Sequence, residues 1–177
     1  MAGLALLTGC STDQPSCTPQ PGLELEAMDI GMGAVPGILA GVNGVPAGLI
    51  FDTGAETSVL SPAIAARAHL YFPAENANFH LTGVGGTEQA DIATVQDFRL
   101  TGARIQNASF VVGKLISAKF AARTGVDGAF GEDFLVNYDL DLNLPDGFIT
   151  LRPIARCQTV LPPWPGPAVS VPIQFMR

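Results

Sequence analysis

The chain has 177 residues, enough for one domain with tails. Hydrophobic residues make up 47% and charged residues 14%, which excludes disorder driven by charge excess. Lys+Arg 9 against Asp+Glu 16 leaves a net charge of -7, too few cations for a basic nucleic-acid surface. The mean hydropathy is +0.32, yet no apolar run approaches the roughly 20 residues of a spanning helix. With 20 Gly and 14 Pro the composition is heavy in turns. It predicts an all-β class, mainly β with one or two short helices.

Residues Met1 to Leu7 are small and apolar, Cys10 follows, and Ser11 to Gln20 is polar. An apolar stub, small residues and one Cys resemble the lipobox of a bacterial lipoprotein signal. That resemblance implies a signal remnant over 1–10, lipidation at Cys10 and a tether over 11–22. Acyl chains would then hold the domain at a membrane without spanning it. No Lys or Arg precedes the apolar run, so the start of the signal is expected upstream. Lipidation of Cys10 would leave Cys17 and Cys157 as an even pair. In an exported protein they either form a disulfide, within the chain or between two chains, or stay as thiols.

Leu23 to Ile30 alternates and predicts a first strand. Ile38 to Val42 and Val45 to Phe51 flank Asn43-Gly44, a hairpin signal because both central residues of a type I′ turn need positive φ. The apolar run Leu49-Ile50-Phe51 reads as a strand buried on both faces. Ser61-Pro62 opens a short helix that Ala63 to Ala68 continues. Phe79 to Thr82, the glycine-rich Gly83 to Thr87 and an arm toward Val95 predict a mobile hairpin. A further hairpin runs from Phe98 and Leu100 to Ile105 and Val112, with Gly102 near its turn and Asn107 at its far end. Glu132 to Asn137 predicts one helical turn, and Tyr138 to Leu142 returns through Pro145-Asp146-Gly147 to Phe148–Leu151. After Cys157 come five prolines around Trp164, so 158–177 reads as a Pro-rich tail. A strand-like stretch from Val169 points to the start of a further segment.

The chemistry lies in Phe51-Asp52-Thr53-Gly54-Ala55-Glu56-Thr57-Ser58. An Asp directly after a buried apolar strand must be hydrogen-bonded, and Thr53 and Gly54 offer a hydroxyl and an unobstructed backbone N–H. Downstream, Asp127-Gly128-Ala129-Phe130-Gly131 places an apolar pair and a glycine where a strand could pass close behind the acid. These two elements, in this order and with the glycine-rich hairpin between them, resemble the retropepsin-like aspartic proteases. The run Asp127 to Leu135 followed by Tyr138-Asp139-Leu140-Asp141-Leu142 is similar to their bacterial exported branch.

The resemblance covers residues 23–157 and implies a single-lobe acid-protease barrel with a flap hairpin. It implies catalysis by Asp52 with Thr53 and Gly54, and substrate contacts from Ala55, Glu56 and the flap tip Val84, Gly85 and Gly86. Only one Asp-Thr-Gly occurs, so one chain carries half of a two-carboxylate site. The other half comes from a twin chain in a homodimer or from a second lobe. The implied activity is endopeptidase cleavage of a peptide or protein at the periplasmic face of a bacterial membrane. The alternative is a catalytically silent peptide-binding lipoprotein of the same fold. No cofactor is implied. His69 and His80 lack partners at ligand spacing, so no metal is expected. Asp127 and Asp133 are assigned to turn and helix-start roles, and Asp139 and Asp141 to a solvent face.

Overall fold

The computed structural model describes residues 22–29, 35–73, 79–83, 86–114 and 122–154. Cys10, Cys17, Cys157, Val84, Gly85, Ile30, Trp164 and the tail from 158 lie outside the described residues. The first predicted strand is in fact two. β1 (Leu23–Glu26) and β2 (Met28–Asp29) belong to different sheets. Between them the Ala27 N–H donates to Gly147 O (2.8 Å), which ends the first pairing and lets the chain turn to the second sheet. β3 (Pro36–Val42) and β4 (Val45–Phe51) form the predicted hairpin, with φ of 48° at Asn43 and 83° at Gly44. Asn43 also anchors the turn to the rest of the domain. Its Oδ1 accepts from Asp97 N (3.0 Å), and its Nδ2 donates to Ala68 O (3.1 Å) and Gln96 Oε1 (2.7 Å).

β5 (Val59–Leu60) leads into α1 (Pro62–Arg67), where Ser61 Oγ accepts from Ile64 N (3.3 Å) and Ile64 and Ala65 are buried. β6 (Phe79–Gly83) and β7 (Gly86–Leu100) form the glycine-tipped arm. β7 does not stop near Val95. No Gly or Pro interrupts Thr87 to Leu100, so one 15-residue strand serves both hairpins, turning at Thr101-Gly102 into β8 (Ala103–Val112). Asn107 therefore lies inside β8 rather than at a hairpin end, with φ 54°. Helical residues 122–124 form α2, then come β9 (Val126–Phe130) and α3 (Glu132–Leu135). β10 (Tyr138–Asn143), a 3-10 turn at Leu144–Asp146 and β11 (Phe148–Pro153) complete the order. The sequence signals α1 and α3 but not the helical residues 122–124.

The strand order of the large sheet is β2-β3-β4-β9-β5-β8-β7-β6, and β3 also pairs with β7 through Gly41↔Arg99 and Val42↔Phe98. That extra pairing closes β3, β4, β9, β5, β8 and β7 into a six-stranded barrel, while β6 and the start of β7 continue beyond it as a two-stranded arm. The small sheet β1-β11-β10 turns Leu25, Ile149 and Leu151 into the same core. Phe98, Phe110 and Phe130 are almost fully buried and meet the half-buried Phe134 at ring centroids of 5.1 Å to 5.7 Å, and Phe98 also meets Phe110 at 5.0 Å and Phe130 at 6.1 Å. Such tilted and offset pairs favour the aromatic quadrupoles and bury large apolar areas. Leu49 and Phe51 are buried as expected, whereas Ile50 is only half-buried.

On the barrel's outer face Asp97 accepts from Arg99 Nε (2.9 Å) and Arg104 Nε (2.6 Å). The hydrogen bonds from Arg99 and then Arg104 hold its carboxyl below the ordinary carboxylate value. A lowered folded-state value stabilises the fold above the unfolded value and loses that contribution as pH falls through the folded one. Asp97→Asn should therefore lower the urea midpoint at neutral pH, and the gap from wild type should close on acidification below about pH 4. High salt should shrink it as well. A gap independent of pH would show that the ion pairs contribute nothing.

Candidate active site

β9 is inserted between β4 and β5, parallel to the first and antiparallel to the second. The chain leaving β4 must therefore cross the end of β9 before it can start β5, and the loop 52–58 makes that crossing. Phe51 stands in register with Phe130, and Asp52 N donates to Phe130 O (3.0 Å), carrying the ladder one residue past the strand. Gly54 N donates to Asp52 Oδ1 (2.9 Å) and Ala55 N to Asp52 O (3.3 Å). The half-buried Asp52 thus has its backbone tied to β9 and one carboxylate oxygen tied to the turn that follows. A backbone N–H aimed at a carboxylate is a charge-assisted bond, stronger than a neutral pair.

The other side of this loop rests on Gly131. A Cβ there would stand 2.7 Å from Ala55 O and 3.0 Å from Thr57 C, so only glycine admits the crossing. Glu132 N donates to Ala55 O (2.8 Å), and Gly131 N donates to Ser58 Oγ (2.8 Å). Ser58 is the buried polar side chain of the described core, and its hydroxyl donates to Asp133 Oδ1 (2.6 Å). Asp133 does sit in the first turn of α3, and its Oδ1 also takes Phe134 N (3.1 Å), but its main-chain role is joined by this long-range one. Sequence reasoning assigned no role to Ser58. A serine directly before the buried pair Val59-Leu60 was the available signal. Asp127 is a correction. It lies in β9, not in a turn, and its carboxylate is held by Arg67 Nη2 at 3.0 Å and 3.1 Å, across from the last turn of α1. Asp139 is exposed, and Asp141 is half-buried with Arg152 Nη2 3.7 Å away.

Of the residues singled out from sequence, Asp52, Thr53, Gly54, Ala55 and Glu56 share this loop. Thr53, Gly54 and Glu56 are exposed and Ala55 is half-buried. Gly86 is placed elsewhere, at the start of β7 on the arm, exposed and with φ 113°. Among the described residues no group of three His, Cys, Asp or Glu side chains is arranged to hold a metal ion. A cavity of about 510 Å³ opens between α1 and the base of the arm, lined by Pro62, Ala65, Phe72, Glu88 and Lys114 among others. None of its lining residues belongs to loop 52–58, so it is separate from the carboxylate.

A six-stranded barrel with a strand threaded behind an Asp-Thr-Gly loop, and a hairpin arm beside it, is a retropepsin-like single lobe. The solved retropepsin-like aspartic protease from Rickettsia conorii has this fold, with a TM-score of 0.50 at 16% identity, covering 74% of this chain and 89% of that one. EIAV protease, complexed with the inhibitor HBY-793, is also similar, with a TM-score of 0.48 at 24% identity over 63% of this chain and 96% of that one. No curated protein matches the chain. The family model described as aspartyl protease matches residues 38–134, from β3 to α3. The chain belongs to the aspartyl protease family and is thereby a hydrolase of the peptidase class.

Proposed function

We propose that the protein is an aspartic endopeptidase that works as a homodimer, with one Asp52 from each chain. The observation that carries this reading is the bond from Gly54 N to Asp52 Oδ1 at the end of a buried strand. It orients a carboxylate on a loop whose neighbours Thr53, Gly54 and Glu56 are exposed and free to be covered by a second copy. Two carboxylates about 3 Å apart cannot both ionise, so they share a proton. The ionised one takes a proton from a water held between them, and that water attacks the peptide carbonyl carbon. The protonated one donates to the carbonyl oxygen. The roles then reverse as the amide nitrogen is protonated and leaves, and no covalent enzyme intermediate forms. Thr53 braces the two loops across the interface. Ala55, Glu56 and the arm tip Val84 to Gly86 hold an extended substrate, added like a strand. Arm closure excludes water from the reacting bond.

The proposal extends to location. Residues 1–10 act as a signal remnant ending in lipidated Cys10, 11–22 as a tether, and 23–157 as the protease lobe on the periplasmic side of a bacterial membrane. Cys17 and Cys157 are a candidate disulfide in that compartment. Two measurements test the reading. Folded protein is incubated with a diverse peptide mixture from acid to neutral pH while its solution mass is followed over a concentration series. Cleavage that appears with the dimer supports the homodimer. A strict monomer without cleavage points to a missing second lobe, and a dimer without cleavage to a silent binding module. Intact mass after expression with the native leader tests the anchor, since a chain starting at acylated Cys10 is expected and an unprocessed Met1 would refute it.

A further inference from the structure

Four bonds join loop 52–58 to the segment 130–133, and they are spread along the whole loop. Asp52 N meets Phe130 O at its start, Ala55 O meets Glu132 N at its middle, and Ser58 Oγ meets both Gly131 N and Asp133 Oδ1 at its end. The first two are backbone bonds that any sequence could make. The other two depend on the Ser58 side chain, and one of them joins it to the Asp133 side chain 75 residues away. Ser58 Oγ is fully enclosed, and it is donor to one partner and acceptor from the other, so its hydroxyl hydrogen has a single orientation. Removing the hydroxyl strands the N–H of buried Gly131, the residue against which Ala55 O and Thr57 pack. We infer that Ser58 and Asp133 are positioning residues for catalysis, a side-chain latch that fixes the Asp52 loop at the distance and angle a two-carboxylate site requires.

The inference rests on the peptidase reading for its catalytic consequence, and its physical logic is the distance dependence of the dyad. Proton sharing requires two like charges to be held close, and the separation of their two titration steps shrinks as they move apart. A loop released at its Ser58 end would let Asp52 wander by a fraction of an ångström to an ångström. Misplacement of that order lowers turnover by about 100-fold. Substrate contacts made by the arm would be untouched.

The test uses the full chain in three variants, Ser58→Ala, Asp133→Ala and Asp133→Asn, against wild type on a peptide cut from the mixture. Ser58→Ala and Asp133→Ala should lower kcat by about 100-fold with KM little changed, and should narrow the pH–rate bell from both sides. Asp133→Asn keeps an acceptor oxygen for the Ser58 hydroxyl and should restore most of kcat and the width of the bell. Amide exchange provides a readout that does not require activity. In Ser58→Ala and Asp133→Ala, exchange at Gly54, Ala55 and Glu132 should rise by about 10-fold, while Thr94, bonded to Tyr71 O on the opposite wall, stays unchanged. An inactive wild type would overturn the peptidase reading and leave exchange to decide the latch. Unchanged exchange at Gly54 and Ala55, or a kcat loss with the pH bell intact, would overturn the latch. If Ser58→Ala does not fold, the exposed Asp133 carries the same test.

Discussion

Asp52→Asn is expected to lower cleavage by about 10,000-fold while leaving the fold intact, because the same carboxyl serves in turn as base and acid. The amide retains an oxygen that can accept from Gly54 N, so the turn bond at 2.9 Å survives. The backbone bond to Phe130 O is untouched, and the change in stability should stay within about 0.5 kcal/mol. The variant also tests the dimer. When it is added in excess to wild type and the chains exchange, most wild-type protomers sit opposite an Asn, and the activity per wild-type chain should fall toward zero. Activity that ignores the added variant would mean that one chain does not depend on the Asp52 of another. Full cleavage by the variant alone would place the chemistry on a different residue.

Gly128→Ala is expected to be the most damaging single methyl in the domain. A Cβ at this position would stand 2.1 Å from Val59 O, 3.1 Å from Val59 C and 3.2 Å from Leu49 Cδ2. The first two are backbone atoms of β5, where Leu60 is in register with Gly128, so no side-chain rotation relieves the overlap. Relief requires β5 to move away from β9. That would disturb the strand on one side of loop 52–58 and the barrel closure with it. Overpacking without an escape should cost about 3 kcal/mol or more, a large part of the roughly 5–15 kcal/mol that stabilises a domain. Urea denaturation would show a strongly lowered midpoint or no cooperative transition. Gly44→Ala is the control. Its Cβ meets nothing within 4 Å, and only its φ of 83° is unfavourable, so a loss of roughly 1–2 kcal/mol is expected. Equal effects at the two positions would show that β5 can shift without penalty.

The contrast between these two glycines separates what was legible in the sequence from what was not. Asn43-Gly44, Ser61-Pro62 and Asp146-Gly147 each carry their conformational preference in adjacent residues, and the turn, the helix start and the last turn fall where they predict. The Asp-Thr-Gly loop was legible for the same reason, since the carboxylate and the N–H that orients it are two residues apart. Alternation likewise placed the arm and both C-terminal strands, because a period of two is a local property. Where periodicity was the only guide, the reading stopped at strand existence. Leu23 to Ile30 alternates throughout, and only the bond from Ala27 N to Gly147 O divides it between two sheets.

Sequence by itself determined the fold class, which rests on composition and turn chemistry, and the Asp-Thr-Gly loop, whose carboxylate and orienting N–H lie two residues apart. Tertiary structure alone decided that β9 threads between β4 and β5, that Asp127 serves Arg67 rather than a turn, and that Ser58 latches onto Gly131 and Asp133. The partners in that latch are separated by 73 and 75 residues. No local preference encodes such a bond. It exists because closing the barrel buries a serine hydroxyl, and the groups that satisfy it come from the start of α3, just past the strand that threads behind the loop.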